Sequence, residues 1–448
     1  MRRLIPLKLK ILAESLNAPL YVVGGFCRDY LSGLPLENVA DWDICAPLSA
    51  EAVVAAAEAA GVKVTAAYKN TGTVRMNCDG AACEFTSFRT DRYVRGRHSP
   101  AEVFFTDDIF SDARRRDFKC NAVYYDIAAD KFADPLGGID DIKLGRLTTV
   151  APAEKVFGED GLRLMRLCRI AAQTGFKPTE ECVAGARKNS LLITDIAPER
   201  IWTELNYILA ADLKYGVKGG QYAGLKLLKD TGVLAYVLPE LAAGDGLEQR
   251  EDFHAYDVLE HTLRCVLYAP PEIRFAALMH DVGKPYCKLT TGRYARHEEE
   301  GERITEEICR RLRVPKKLAE RTCALVRWHM YDLSCEASEN KVRKFIVAHL
   351  DILDDLLLLK QADYSACKDD LSPAPCVAKW KKIYSRMLSE GVPLNLKQLN
   401  VRGDDLIGAG ICPNQTAKTL EFLLGECAIG NVPNERERLI RYALARNN

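Results

Sequence analysis

The 448-residue chain has no net charge, because 62 lysines and arginines balance 62 aspartates and glutamates. A global basic field is therefore excluded, and a large polyanion would have to meet a local basic surface. Its 16 cysteines are scattered, with no C-x-x-C pair and no zinc-knuckle spacing. That pattern reads as reduced, mostly buried thiols rather than a disulfide framework or a metal knuckle. The chain also shows no hydrophobic run of membrane length, no secretory signal, no low-complexity tract and no internal repeat. The expectation is a cytoplasmic globular protein with no membrane partner, long enough for about two to four domains.

Against these absences stands Val22-Val23-Gly24-Gly25-Phe26-Cys27-Arg28-Asp29, followed by Asp41-Trp42-Asp43. An apolar strand breaks at a glycine pair, a helix opens, and a second strand carries two carboxylates one residue apart. Successive strand side chains point to opposite faces, so Asp41 and Asp43 share a face and can share divalent cations. Glycines at a strand end let a polyphosphate approach backbone N–H groups at a helix N-terminus. Together these parts point to nucleotidyl transfer with two metal ions. Singly, a glycine pair is a common turn and a D-x-D recurs by chance, so the order and spacing carry the reading.

From Leu20 to about Asp134, strand-like runs at Leu20-Val23, Trp42-Cys45, Thr73-Asn77, Cys83-Phe88 and Ala122-Tyr125 accompany a helix at Glu51-Ala60. They predict the α/β head of an α+β protein, built on a mixed sheet. Met1-Asn17, with Leu4, Leu7, Ile11, Leu12 and Leu16 among lysines, predicts a short amphipathic helix. After the turn-rich 134–138 segment strand signals almost vanish. Glu159-Gly175, Pro198-Ala211, Gln221-Thr231, His254-Tyr268, Glu272-His280, Glu298-Leu312, Lys316-Met330 and Leu350-Ala366 all have helical periodicity. Weaker boundaries near Gly244-Gly246 and Ser372-Pro375 complete a division into head (1–138), all-helical neck (139–245), central helical domain (246–371) and C-terminal helical tail (372–448).

Three further segments bear on chemistry. Arg115-Arg116-Asp117-Phe118-Lys119-Cys120-Asn121-Ala122 leads into a strand, and a guanidinium fork, always charged, suits a triphosphate, with Arg116 the candidate. The run from Glu159 to Arg169 reads E-D-x-x-R-x-x-R-x-x-R, and Glu199 to Glu204 reads E-R-I-x-x-E. An isolated run of either kind would be a solvated charged helix face. With the glycine pair and the D-x-D, however, they resemble the class II tRNA nucleotidyltransferase and bacterial poly(A) polymerase branch of the DNA polymerase β superfamily. The family's R-R-D-F-T-I-N-A motif is followed except at Lys119 and Cys120.

The resemblance implies a polymerase-β-like head that adds CMP, CMP and AMP from CTP and ATP to the 3′ end of tRNA, in tRNA maturation and repair. It implies that Asp41 and Asp43 hold two Mg²⁺ ions and that Gly24, Gly25, Arg28, Asp29 and Arg116 bind the nucleotide. Glu84 is a candidate third metal-facing carboxylate, and Tyr93-Val94-Arg95-Gly96-Arg97 resembles the family's flexible loop. The resemblance gives Asp160 and Arg163 the choice of base, with Arg166 and Arg169 lining the same site, and leaves the E-R-I-x-x-E segment, Arg200 included, to brace the neck.

The chemistry of that choice follows from the two side chains. An ionised Asp only accepts hydrogen bonds and an Arg only donates them. Three apart on one predicted helix, they are surface neighbours. Asp160 can meet the exocyclic amine of C or A, and Arg163 the adjacent ring acceptor. G and U invert that order, and each group left unpaired costs on the order of 1–3 kcal/mol.

The second half sets out His261, His280-Asp281, His297, His329 and Asp363, and five of the seven histidines lie in or beside these positions. A lone buried His is more often core than ligand, but this order resembles the HD superfamily of metal-dependent phosphohydrolases. The resemblance implies a metal site from His261, His280, Asp281 and Asp363, with His297 and His329 nearby. Imidazole and carboxylate ligands suit Mg, Mn, Ni or Zn ions. The domain is then either a hydrolase or a scaffold. The tail from Leu394 to Arg446 is similar to the C-terminal region of HD-containing tRNA nucleotidyltransferases, which implies a grip on tRNA. That grip would work by shape and backbone, through a basic strip on one face. A poly(A) polymerase and an A-only or C-only adding enzyme share the head and stand as alternatives. Those of other classes are an HD phosphohydrolase with a degenerate RNA-binding head and a non-catalytic tRNA-binding protein. The oligomeric state is left open.

Overall fold

The alternation of side chains between a buried and an open face builds the head's seven-stranded sheet. Its strands are β1 (Tyr21–Val22), β2 (Asp41–Ala46), β3 (Lys63–Tyr68), β4 (Thr73–Cys78) and β5 (Ala81–Ser87). After a separate hairpin of β6 (Arg89–Arg92) and β7 (Glu102–Phe105) come β8 (Tyr124–Asp126) and β9 (Lys131–Ala133). The order is β3-β4-β5-β2-β1-β8-β9, with β2 parallel to β5 and every other pair antiparallel, so the expected mixed sheet is present. On β2, Trp42 and Ile44 are buried while Asp41 and Asp43 stay exposed, so the two carboxylates share the open face as the D-x-D spacing requires.

This computed structural model describes residues 1–35, 41–98, 100–250 and 252–447. The chain folds as two units, Met1–Ala242 and Ala243–Asn448. In the first, the helices are α1 (Leu7–Ser15), α2 (Gly25–Leu31), α3 (Ala50–Ala59), α4 (Ile109–Arg114), α5 (Gly138–Lys143), α6 (Ala153–Glu159), α7 (Leu162–Thr174), α8 (Glu180–Asn189), α9 (Pro198–Leu209), α10 (Ala211–Tyr215), α11 (Gly220–Asp230), α12 (Leu234–Val237) and α13 (Pro239–Ala242). Val23, Cys45, Phe88, Ala122 and Tyr124 of the sheet region pack with Ala113 of α4 and Val156 of α6, so one core joins the sheet to the first neck helix. Tyr21 stacks on Phe88 at 5.8 Å, with Tyr124 edge-on to both rings. Burying a side chain of Phe88's size is worth about 1.5–3 kcal/mol, which fixes the strand ends beside the D-x-D.

The second unit is helical: α14 (Val258–Tyr268), α15 (Arg274–Met279), α16 (Gly283–Thr291), α17 (His297–Arg311), α18 (Lys316–Trp328), α19 (Glu339–Ala348), α20 (Leu353–Lys368), α21 (Pro375–Ser389), α22 (Gly403–Gly408), α23 (Pro413–Ala428) and α24 (Arg436–Asn447). Helix α14 packs against α15 and α20, and α17 packs against α16 and α18, which turns the HD-type ligands of several helices inward.

Several expectations need correction. The Glu159-Gly175 helix is two helices, broken at Asp160, which is extended (φ −140°, ψ 109°), so Asp160 and Arg163 do not share one helix. Gly161, itself helical (φ −62°, ψ −23°), lets the junction lie close against Leu192: a Cβ there would lie 2.3 Å from the Leu192 carbonyl oxygen. The neck is not wholly helical, because β10 (Arg146–Leu147) and β11 (Lys177–Pro178) form a short parallel pair. At the N-terminus Leu4, Leu7 and Ile11 are exposed, while Ile5, Leu9, Leu12 and Ala13 are the buried set, so the apolar stripe runs along a different face. The helix expected from His254 starts at Val258, capped by Asp257, whose side chain accepts from the Glu260 N–H.

Candidate active site

Gly24 ends the first strand region and caps α2 with φ +80°, a left-handed conformation open to glycine. A Cβ at Gly24 would lie 3.2 Å from Asp43 Oδ2, so the glycine also lets the helix start press against the D-x-D. Although the Asp43 side chain is open to the cavity, desolvation by the protein atoms packed around it raises its carboxyl above its ordinary pKa, and the Arg116 guanidinium opposes that shift. Neither Asp41 nor Asp43 takes an ion pair among the described residues, and paired hard oxygens on one open face fit Mg²⁺. Glu84 lies beside Asp43 in the parallel β2–β5 register, but its carboxylate holds Arg75 at 2.9 Å.

A cavity of about 740 Å³ brings this face together with most of the predicted nucleotide residues: Gly24, Gly25, Arg28, Asp29, Arg116, Asp160, Arg163, Arg166 and Arg169 all line it. Glu84 and Arg200 do not. Seven of the lining side chains are Arg or Lys and five are Asp. Three of the five, Asp29, Asp117 and Asp160, already have partners, leaving Asp41 and Asp43 as the free carboxylates within a cationic wall.

Four of these cations, Arg28, Arg116, Arg166 and Arg169, are each held by a carboxylate. Arg28 is buried, donating from Nε to Asp29 Oδ1 at 2.8 Å and from Nη1 to Asn121 Oδ1 at 2.8 Å. Asp29 Oδ1 takes both Nε and Nη2 of Arg28, while its Oδ2 accepts from the Tyr215 hydroxyl, which fixes the carboxylate in place. Arg116 donates to the Tyr124 hydroxyl (3.1 Å) and to Asp112 Oδ2 (3.0 Å). Burial opposes ionisation of Asp112, yet the Arg116 and Arg115 guanidiniums outweigh it and hold that carboxyl at about 2. Arg166 grips Asp117 at 2.7 Å from Nε, and Arg169 grips Glu204, the last residue of E-R-I-x-x-E, at 2.6 Å.

Asp160 and Arg163 are both buried and approach to 4.0 Å. Asp160 Oδ1 accepts the Leu162 N–H at the start of α7, and its Oδ2 lies 2.8 Å from His98 Nδ1. Arg163 donates to the carbonyls of Val156 (3.1 Å) and Arg115 (2.6 Å) and to Glu159 (3.1 Å), with its guanidinium 5.4 Å from the Tyr93 ring. Sequence reasoning missed His98, Asp112, Tyr124, Lys214 and Tyr215. His98, Asp112 and Tyr124 sit beside recognised motifs; Tyr215 reaches Asp29 across 186 residues, for which no local signal exists.

In the second unit His261, His280, Asp281, His297, His329 and Asp363, all buried, converge as the HD pattern predicts. Nδ1 of His280, His297 and His329 lies 2.7–2.8 Å from the carbonyl oxygen of Ala277, Tyr294 and Val326 respectively. A carbonyl only accepts, so Nδ1 carries the proton and Nε2 offers its lone pair inward. Asp281 sits between two sets. Its Oδ2 is 3.2 Å from His280 Nε2 and 3.5 Å from His261 Nε2, and its Oδ1 is 3.2 Å from His297 Nε2 and 3.8 Å from His329 Nε2. Asp363 Oδ1 completes the first set, 3.0 Å from His261 Nε2, and Lys284 Nζ lies 2.6 Å from Asp281. The donor set fits divalent transition ions.

Residues 20–148 match the family model described as the poly A polymerase head domain, residues 175–244 that for the probable RNA and SrmB-binding site of polymerase A, and residues 254–356 the HD domain. The multifunctional CCA protein of Chromobacterium violaceum is 33% identical over 314 residues, 66% of this chain and 70% of that protein. The one from Neisseria gonorrhoeae is 31% identical over 322 residues, 69% and 73% of the two chains. Among solved structures, the Bacillus stearothermophilus CCA-adding enzyme in complex with CTP aligns with a TM-score of 0.70 at 23% identity, over 98% of this chain and 97% of that one. The Thermotoga maritima CCA-adding enzyme complexed with tRNA aligns with a TM-score of 0.60 at 17% identity, over 98% and 94%. At these identities the structural likeness speaks for the fold.

Proposed function

The chain belongs to the family of multifunctional CCA proteins, the HD-containing tRNA nucleotidyltransferases, and we propose that its head cavity adds C, C and A to the 3′ end of tRNA from CTP and ATP without a template. The observation that carries this reading is one cavity lined at once by Asp41 and Asp43, by Arg116, and by the Asp160–Arg163 pair. Asp41 and Asp43 are the residues to hold two Mg²⁺, which when bound lower the pKa of the primer 3′-hydroxyl and steady the departing pyrophosphate. Arg28 and Arg116, already anchored by Asp29, Asp112 and Tyr124, receive the sugar-phosphate part. Asp160 accepts from the exocyclic amine of C or A, and Arg163 donates to the ring nitrogen by giving up one of its protein contacts. Arg166 and Arg169, fixed by Asp117 and Glu204, support the pair from below.

The protein is cytoplasmic in this reading, and no helix among the described residues is long and apolar enough to cross a membrane. The division into head (1–138), neck (139–245), HD domain (246–371) and tRNA-holding tail (372–448) is part of this reading; the matched segments 175–244 and 254–356 fall inside its neck and HD domain, while the head match, 20–148, runs past 138 into the neck. Purified protein given tRNA lacking its end, with each nucleotide singly and together, should add two C residues from CTP and one A only after them. Unlimited addition of A alone would make it a poly(A) polymerase. Asp41→Ala and Asp43→Ala should each abolish addition while leaving the melting temperature unchanged, since both side chains are exposed; persisting addition would overturn the assignment.

A second activity is favoured by the inward-facing Nε2 atoms around Asp281. The HD residues hydrolyse phosphoesters with a bound Mn²⁺, Ni²⁺ or Zn²⁺ class ion, His261, His280 and Asp363 on one side of Asp281, His297 and His329 on the other. Hydrolysis of bis(p-nitrophenyl) phosphate should disappear in Asp281→Asn with CCA addition intact, and unchanged hydrolysis would refute the site.

A further inference from the structure

Beside the HD cluster a separate group of donors meets: His254, His261 and Cys367 bring ligand atoms within 4.8 Å of one another. His261 faces two ways. Its Nε2 is 3.0 Å from Asp363 Oδ1 and 3.3 Å from His280 Nε2, inside the HD cluster. Its Nδ1 is buried with no hydrogen-bond partner, and His254 Nδ1 is equally buried and unpartnered. The other three HD histidines each give that proton to a backbone carbonyl, so the two orphaned nitrogens break the local rule together. A buried polar group left unmade costs about 1–3 kcal/mol, and a shared ligand would remove two such penalties at once.

The chain delivers these donors from two elements. Cys367 follows Asp363 by one turn of α20, so one helix face sends a carboxylate to the HD cluster and a thiol to its neighbour. His254 precedes α14, which carries His261, and the two rings meet edge to face with centroids 4.9 Å apart. His254 and Cys367 are only partly buried, which leaves an entry path that the wholly buried HD ligands lack.

We propose that His254, His261 and Cys367 form a second kind of metal site, for a Zn²⁺ or Co²⁺ class ion, joined to the HD cluster through the His261 ring. Two ring nitrogens and a thiolate are borderline-soft donors of the kind zinc takes, whereas Mg²⁺ demands oxygens. Three protein ligands leave the fourth tetrahedral position to water. Loading releases the Cys367 thiol proton to solvent, and a second proton from the His261 ring when both of its nitrogens carry metal; no atom changes oxidation state. The site depends neither on nucleotide addition nor on phosphoester hydrolysis.

The test uses the full-length apoprotein titrated with Co²⁺ without oxygen, with bound Zn²⁺ counted by mass spectrometry of the metal. The expected result is a near-ultraviolet thiolate-to-cobalt band that is absent in both Cys367→Ser and His254→Gln, each variant binding about one Zn²⁺ fewer than the wild type. His297→Ala, altered only in the HD cluster, should keep the band. A wild type without the band, or a band that survives Cys367→Ser, overturns the proposal. So does a Cys367→Ser protein that is folded by circular dichroism yet has lost all metal, since Cys367 would then belong to the HD cluster. His254→Gln, changed in the loop ahead of α14, supplies the same readout if Cys367→Ser disturbs α20.

Discussion

Asp112 fixes the place of Arg116, the residue proposed to receive the triphosphate, because its carboxylate takes Arg116 at 3.0 Å and the Tyr124 hydroxyl at 2.7 Å. Its folded pKa of about 2 lies below the ordinary 3.8, so its stabilisation is present above the unfolded value and lost as pH falls through the folded one. Asp112→Asn should therefore destabilise the protein by about 2 kcal/mol at neutral pH, and the gap to wild type should close between about pH 4 and pH 2. Denaturant unfolding at several pH values reads this directly, and a gap that is flat with pH would show that the pairing contributes nothing. Individual side chains divide sharply in how well sequence foretold them. Asp41, Asp43, Arg116 and Asp160 stand in ordered motifs, and the cavity gathers all four as those motifs led one to expect. Tyr215 and His98 act through contacts 186 and 62 residues distant in sequence, which only the folded chain can bring about.

The junction between α6 and α7 is the element that places Asp160 and Arg163, the pair proposed to read the base. Gly96 N–H donates to the Gly158 carbonyl and Gly161 N–H to the Gly96 carbonyl, so the 93–98 loop is stitched to both sides of Asp160. Gly161→Ala would drive its Cβ to 2.3 Å from the Leu192 oxygen and should cost about 1–3 kcal/mol. Incorporation of G and U relative to A and C should rise with it, measured by single-nucleotide addition; a variant with wild-type stability and selectivity would deny the junction its role. Helix α9 braces the other end. Glu204→Ala leaves the largely buried Arg169 without its carboxylate and should lower stability by about 3 kcal/mol, visible as a drop in melting temperature. Strands with clean alternation, such as β4 and β5, could be read from sequence, whereas β3, open along most of its length, carries no apolar rhythm to find. The break at Asp160 hid for the opposite reason: helical periodicity runs on through it, and the contacts that accompany the extended residue, His98 Nδ1 at 2.8 Å and the Gly96 carbonyl that accepts from the Gly161 N–H, are tertiary.

Every residue lining the head cavity lies within Met1–Ala242, one of the two units, so nucleotide binding and tRNA handling should be separable. A fragment of residues 1–242 is expected to bind CTP and ATP with near-native affinity by calorimetry, yet to add them to tRNA far more slowly than the whole chain. Loss of nucleotide binding in a folded fragment would show that the cavity needs the second unit. The seam after Ala242 lies beside the turn-forming Gly244-Gly246 segment, so a local composition signal marks it in the sequence. Gly161 has one more consequence, in the history such a protein can have. Every other amino acid carries a Cβ, so no single substitution at that position is neutral while Leu192 holds its place. Under the proposed base reading, a lineage that changes its nucleotide preference through Asp160 or Arg163 does so around a glycine whose every replacement costs stability.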